Sequence, residues 1–387
     1  MYPIKKLSEI CEMKPFENCL EKITYTTKIQ RKDFLESGDF PIISQEIADI
    51  NGYWNNESDV FRIEKPVIIF GDHTKIIKYI DFDFVLWADG VKILQPRDFL
   101  DTRYLYYFLQ SVGLKSLWYA RHYRLLREIQ IPLPPLSSQL AIVARLDSAM
   151  AEIDEARRQT ESALASAREV WESTLESVFA GDGEGWEEKR LGEIINFLNG
   201  FAFKSIDTIQ SSNTQLIRMW NLYWNQLDLD RRAVFYPDEY AVKYSRYLLK
   251  SNDLIISLTW TTWKEDYWYT VKIPETNYNL LLNQRIAKII IIDEMRFIKD
   301  YILYFLLSRV FLDRLYETAN WTRQANLSTE TMRGLVFLFP KSLPEQSRIV
   351  AHLDAVRAET ESLERLYREK FASLDELRRS VLQEAFS

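Results

Sequence analysis

Three histidines, His73, His122 and His352, are the only imidazoles in a chain of 387 residues, and imidazole is the side chain best suited to acid–base work near neutrality. They lie far apart and lack the spacing of metal ligands. No GxxxxGKS, GxxxxGKT or GxGxxG run is present to cradle phosphates. Nor is there an Asn-Pro-Pro-aromatic or Asp-Pro-Pro-aromatic box, as an amino-methylating site would need. Lys264, Glu265 and Asp266 could be drawn as a nuclease cluster, but a solvated turn is the plainer reading. The residues point to a protein that binds rather than one that catalyses.

What they could bind is nucleic acid. Arg and Lys contact guanine edges or phosphates, and Asn and Gln match adenine. In the first half such side chains gather at His73, Thr74, Lys75 and Lys78, and again at Arg121, His122, Tyr123 and Arg124. In the second half the candidates are Thr261, Thr262, Lys264, Arg323, Gln324 and Asn326. RHYR (121–124) and TRQAN (322–326) fall at the same place in an internal repeat, between a globular helix and a long helix. For each residue the competing reading is a solvated loop cation, or, for His73 and His122, a buried histidine with its hydrogen bonds satisfied.

The repeat itself is plain. LSSQLAIVARLD (136–147) and LPEQSRIVAHLD (343–354) agree at seven of twelve positions, at an offset of 207. LESVF (175–179) answers LQEAF (382–386) at that same offset. KKLSEI (5–10) answers KRLGEI (189–194) at 184, and YLYYFLQS (104–111) answers YILYFLLS (301–308) at 197. The offset grows along the chain, so the second copy gained residues inside its variable part. A period this long is a duplicated domain, since solenoid repeats run to only about 50 residues.

Each copy begins with short β-branched and aromatic runs broken by Gly, Asp and charge, which read as strands. PVIIF (66–70), KIIKYI (75–80), FVLWA (84–88) and VKILQP (91–96) precede a helix expected near 101–118. DLIISLT (253–259), YTVKI (269–273) and RIAKIIII (285–292) precede one near 296–318. The fold class is α+β, with an internal pseudo-two-fold repeat.

Each copy ends in a long helix whose proline-bearing lead-in, PLPPL (132–136) or FPKSLPEQ (339–346), suits a helix start. Apolar and small residues recur at four-three spacing: 142, 146, 149, 153, 156 and onward to 170 and 174 in the first helix. In the second they recur at 349, 353, 356, 360, 363, 367 and onward to 377 and 381. Ile142, Leu146, Ile153, Ile349, Leu353, Val356 and Leu363 are expected to pack, and Gln139 and Gln346 to cap or brace the helix starts, with a partner contact as the other reading. The first seam is small where the second is large, so the two helices should interdigitate as an antiparallel pair, the plainer alternative being that each packs on its own globular unit. Rods of about 40 residues would be roughly 60 Å long, and would hold two similar units apart as readers of separated half-sites. The domains follow: 1–135 and 187–340 as recognition units, 136–186 and 341–387 as spacer helices.

Net charge is −7, which at first argues against a nucleic-acid binder. Most of the net negative charge is in the spacer, where 136–186 holds 4 basic and 10 acidic residues. The large units are near neutral, with 18 basic against 19 acidic residues in 1–135 and 19 against 18 in 187–340. Two cysteines without a secretory leader suggest a reducing, cytoplasmic setting, and the apolar runs are too short to span a bilayer.

The doubled PLPPL…Q…IV…LD lead-in to a long helix, with a variable domain before each copy, resembles the specificity subunit of Type I restriction-modification systems. The likeness extends over essentially the whole chain, and its specific parts are GDHTK and ADGVKIL in the first half and NLYW, LTWTTWK, LNQR and RQANLS in the second. The resemblance implies two target recognition domains on an antiparallel helical spacer, a bipartite double-stranded DNA target, and no activity alone. It implies two methyltransferase subunits and restriction/translocase subunits as partners, with S-adenosylmethionine, ATP and Mg held by those partners and none by this chain. A stand-alone DNA-binding regulator or a coiled-coil adaptor is the alternative.

One departure stands out. No glycine occurs between Gly200 and Gly334, where about nine would be usual at an average near 7%. Six of the chain's eleven tryptophans lie there, Trp220, Trp224, Trp260, Trp263, Trp268 and Trp321, several at positions where the resembling family commonly has glycine. Tryptophan cannot cheaply adopt a positive-φ turn or allow a close backbone approach. These positions are expected to be glycine codons of an altered genetic code, with genuine aromatic contacts as the other reading.

Overall fold

The computed structural model describes residues 7, 11–87, 90–114, 121–180, 185–223, 225–258, 269–317 and 329–387. The chain forms two compact units, Met1–Ser162 with Tyr367–Ser387, and Ala163–Leu366. Each unit thus takes in one end of both long helices.

In the first unit, β1 (Glu12–Pro15), β2 (Lys28–Ile29), β3 (Phe40–Ile43), β4 (Gly52–Trp54) and β5 (Val60–Phe61) precede β6 (Val67–Gly71), β7 (Ile77–Ile80), β8 (Phe84–Trp87) and β9 (Val91–Leu94). Then follow α1 (Thr102–Ser111), α2 (Tyr123–Arg127), β10 (Gln130–Leu133) and the first part of α3 (Leu136–Phe179). All five residues of β6 are buried, and it is the middle strand of the antiparallel order β7-β6-β9. β7, whose buried residues alternate with half-buried ones, lies at an edge, as half-covered strands do. The second sheet has the order β2-β8-β3-β4 with β5 also on β8, and within it β3 and β8 run parallel. β1 pairs with β10, joining the start of the unit to the lead-in of α3.

The second unit holds β11 (Trp186–Arg190), β12 (Ile195–Asn199), β13 (Thr214–Ile217), the hairpin β14 (Leu222–Tyr223) with β15 (Gln226–Leu227), β16 (Phe235–Tyr236), α4 (Glu239–Lys243) and β17 (Leu248–Leu249). It continues with β18 (Leu254–Ser257), β19 (Thr270–Lys272), β20 (Asn279–Leu282), β21 (Ile286–Ile291), α5 (Lys299–Leu307), α6 (Arg309–Glu317), α7 (Thr329–Gly334), β22 (Val336–Pro340) and the first part of α8 (Leu343–Phe386). One sheet is ordered β12-β21-β18-β19 and the other β16-β13-β20-β17, with β13 and β20 parallel. β11 pairs with β22 as β1 does with β10.

The strand runs read from the sequence are β6 to β9, β18, β19 and β21. The globular helices are shorter than expected. α1 starts where Asp101 Oδ1 accepts from the backbone N–H groups of Arg103 and Tyr104 at 2.9 and 2.8 Å, a helix cap, and it stops at Ser111 rather than 118. The helix expected over 296–318 is two helices split at Ser308, whose hydroxyl donates to Phe305 O at 2.6 Å and accepts from Phe311 N–H at 3.3 Å. A side chain that hydrogen-bonds its own backbone in this way ends one helix and starts the next.

In the first unit the ends of α3 and α8 run antiparallel. Asp154 Oδ1 accepts from Arg378 Nη1 at 2.9 Å, and Asp375 Oδ1 from Arg157 Nη1 at 2.8 Å. Such exposed pairs contribute at most about 1 kcal/mol. The contact rests instead on Leu146, Met150, Ile153, Leu374 and Leu382, all buried in one apolar cluster with Tyr107. In the second unit, Arg168 Nε donates to Glu364 Oε1 at 2.7 Å, while Ile349 and Leu353 join the main core with Leu175 and Phe179.

The heptad seam does not run the full length. Val170 and Leu377, both expected in it, are 55% and 48% exposed, and Lys370 is exposed as well. Burial moves one position on, to Trp171, Leu175 and Val178 in α3 and to Phe371, Arg378 and Leu382 in α8, while Thr174 and Leu374 stay at least half-buried. The cause is geometric: a helix of 3.6 residues per turn drifts about 20° per heptad against a 3.5 repeat.

Candidate nucleic-acid interface

In the first unit the polar loops meet beyond the C-terminal ends of the parallel strands β3 and β8. Gln45, two residues past β3, accepts at its carbonyl from Thr74 Oγ1 at 2.7 Å, and at Oε1 from His73 N–H at 3.2 Å. Gly90, which lies beyond β8, has φ +98°, and a Cβ there would come within 2.9 Å of His73 Cδ2. Only glycine fits that corner without moving the histidine.

Asp72 joins this loop to the distant RHYR segment. Its N–H donates to Gly90 O at 2.7 Å. Its carbonyl accepts from His122 N–H at 2.8 Å and lies 2.9 Å from His122 Nδ1, which makes Nδ1 the protonated ring nitrogen. Its carboxylate accepts from Tyr123 N–H at 2.8 Å and lies 4.0 Å from Arg121 Nε. Asp72 is 1% exposed, so these bonds form in a low-dielectric setting, where a satisfied polar network rigidifies its surroundings. Two stretches some 50 residues apart are thereby brought to one surface.

The eight candidates of this half divide by position. His73, Thr74, Arg121 and Arg124 are exposed, and Lys75 and Tyr123 half-buried. Lys75 has φ +61°, an uncommon backbone for a residue with a Cβ. His122 and Lys78 are 3% and 6% exposed. Lys78 Nζ donates to Ala48 O, and burial pulls its pKa below the usual lysine range. These two side chains brace the loops from within, the Tyr123 ring packs on Phe16 and Phe70 of the core, and the other five lie nearer the surface. Sequence reading missed Gln45, which belongs to no charged or repeated run, and passed over Asp72 within GDHTK because an acid does not suit contact with phosphates.

Of the second-half candidates, Thr261, Thr262, Lys264, Arg323, Gln324 and Asn326 lie outside the described residues, as do Trp224, Trp260, Trp263, Trp268 and Trp321. Trp220 is described, 48% exposed, with the Arg232 guanidinium 4.3 Å above its ring.

Among the spacer residues, Leu146, Ile153, Ile349 and Leu353 are buried, and Ile142, Val356 and Leu363 half-buried. The repeated glutamines are fully buried. Gln139 Oε1 accepts from Asp101 N–H at 2.9 Å, and its Nε2 donates to Phe99 O and Pro134 O at 3.0 and 2.9 Å. Gln346 does the same with Ile298 N–H at 2.9 Å, Arg296 O at 3.0 Å and Pro340 O at 3.1 Å. Each ties the start of a long helix to the start of its globular helix and to the end of, or the residue just past, the last strand before it.

Among the described residues, no group of three or more His, Cys, Asp or Glu is placed to hold a metal ion. No described helix is long and apolar enough to cross a membrane.

The Type I restriction modification DNA specificity domain matches residues 3–161 and 183–369, once in each half. The chain belongs to that family. It is similar to the EcoAI specificity subunit of Escherichia coli, at 30% identity over 172 residues, 44% of this chain and 28% of that one. It is also similar to the EcoBI specificity subunit of Escherichia coli, at 21% identity over 79% of this chain and 71% of that one. A chain solved in work on complex assembly and conformational transition of the type I R-M system shares the fold, with a TM-score of 0.68 at 19% identity over 99% of this chain and 96% of that one. The α+β class, the duplicated recognition domain and the antiparallel long helices are therefore those of a Type I specificity subunit.

Proposed function

We propose that this specificity subunit reads a bipartite double-stranded DNA target, one half-site per globular unit, and docks two methyltransferase subunits together with restriction/translocase subunits. The chemistry belongs to those partners, which would carry S-adenosylmethionine, ATP and Mg, and this chain is non-catalytic. The observation that carries the reading is the Asp72 corner. It sets exposed His73, Thr74, Arg121 and Arg124 on one surface, with donors of the kind that contact phosphates and base edges.

The methyltransferase-bound subunit, titrated with duplex carrying its target, should bind with an affinity that falls steeply with salt. Lys75→Ala should weaken binding to every duplex and lower the salt slope by about 1. A slope and an affinity unchanged by Lys75→Ala and Arg121→Ala together would show that DNA does not lie on this surface.

A further inference from the structure

We infer that the second unit contacts DNA through the cleft of about 230 Å³ between the turn at Arg218–Trp220 and the turn at Asn283–Arg285, with Arg218 holding a phosphate and Gln284 and Arg285 reading base edges. The inference rests on the DNA-reading function proposed above and extends it to residues outside the candidate set.

β13 and β20 run parallel with Ile217 opposite Leu282, so Arg218 and Asn283 leave the sheet side by side. Gln45 and Gly90 follow the parallel pair β3 and β8 in the first unit in the same way. The crevice outside the carboxyl ends of parallel strands is a recurrent place for ligands.

Arg218 Nη2 donates to Arg232 O at 2.7 Å, but its Nε is buried and has no partner among the described residues. A buried donor left without an acceptor is costly, and a turn of the guanidinium toward the cleft would let a phosphate oxygen supply one through a charge-assisted bond. Gln284 and Arg285 are exposed on the opposite wall, an amide suited to adenine and a guanidinium suited to guanine.

A Cβ on Gly200 would stand 2.1 Å from Asn283 O and 2.4 Å from Asn283 C, so the backbone of the turn is seated directly on that glycine. Gln284 N–H donates to Phe201 O at 3.0 Å, and Asn283 Oδ1 accepts from Arg285 N–H at 3.2 Å. A reading turn held in this way presents its side chains in one geometry. Trp220 forms part of the wall.

The test maps methylated bases in DNA from cells carrying the methyltransferase with the wild-type subunit, Gln284→Ala or Arg218→Ala. Gln284→Ala should relax one base of one half-site by about 5- to 100-fold and leave the other half-site intact. Arg218→Ala should keep the motif, weaken binding to all sequences and reduce the salt slope by about 1. Both variants matching wild type in motif and salt slope would overturn the cleft while leaving the function standing. A wild-type subunit that yields no bipartite motif would overturn the function and the cleft with it.

Discussion

The ring of Phe386 stands edge-on to Tyr104, with centroids 5.2 Å apart. In the other unit Phe179 stands edge-on to Tyr301 at 5.3 Å. Phe179 and Phe386 are the last residues of the repeated LESVF and LQEAF, and Tyr104 and Tyr301 open the repeated YLYYFLQS and YILYFLLS. Each long helix therefore ends on the globular helix of the other copy, as antiparallel pairing requires. A contact that must be made twice explains why these five-residue stretches answer each other so far from the rest of the repeat.

Phe179 is 1% exposed and also packs on Phe305 at 5.7 Å. Phe179→Ala should destabilise the second unit by about 4 kcal/mol, from lost burial plus the cavity left behind. Urea unfolding followed by the fluorescence of Trp171 and Trp186, both beside this core, would measure it. A shift in stability below about 1 kcal/mol would mean that the site collapses around the gap or that the packing contributes little.

Gln139 and Gln346 each bridge one backbone donor and two carbonyls while fully buried. Truncating either to Ala should cost about 3 kcal/mol, because buried groups lose their partners. Glutamate at the same position should be no better, since a carboxylate cannot donate to the two carbonyls. Thermal melts of the four variants would check this, and an unperturbed Gln346→Glu would contradict it.

Tyr107 donates to Asp147 Oδ1 at 2.6 Å, and Tyr304 donates to Asp354 Oδ1 in the second copy. Burial, and then the carboxylate beside it, pushes the Tyr107 phenol up to about 12; Tyr304 moves in the same direction for the same reasons. A phenol with a raised folded-state pKa keeps its proton longer in the native state. Its contribution is complete below the unfolded pKa near 10 and is lost as pH climbs toward 12. Tyr107→Phe should therefore flatten the alkaline fall in stability between pH 10 and 12, and an identical fall in the variant would refute the linkage.

Much of the fold was legible because the physics was local. The runs of β6 to β9, the proline lead-ins and the two helical seams declare themselves by alternation, by caps and by spacing. What stayed hidden depends on tertiary partners. Asp72 looks like any loop acid until His122 and Tyr123 arrive, and nothing in YILYFLLSRVFLDRL shows that the Ser308 hydroxyl will turn inward. The seam slips at Val170 and Leu377 because heptads read from the sequence assume a supercoil that a helix need not keep. For the site, the GDHTK and RHYR stretches could be picked out as candidates, but the sequence could show neither that Asp72 joins them nor that His122 and Lys78 face inward.

The tryptophans are open to a direct check. Among the described residues, the non-glycine positions with positive φ are Lys75, Asn225, Arg232 and Asn252, so the backbone at Trp220 does not require glycine. Intact mass of the protein from its natural source, lighter by one tryptophan-to-glycine difference per site, would establish the altered code. A mass matching this sequence would make the six residues genuine.

The central claim is that this chain chooses the DNA sequence. Its most direct test is long-read methylation mapping of DNA from cells that express the methyltransferase partner with this subunit, against cells that express the methyltransferase alone. We expect a two-part methylated motif that vanishes when the subunit is omitted. The same motif appearing without it, or no motif although the subunits co-purify, would contradict the account.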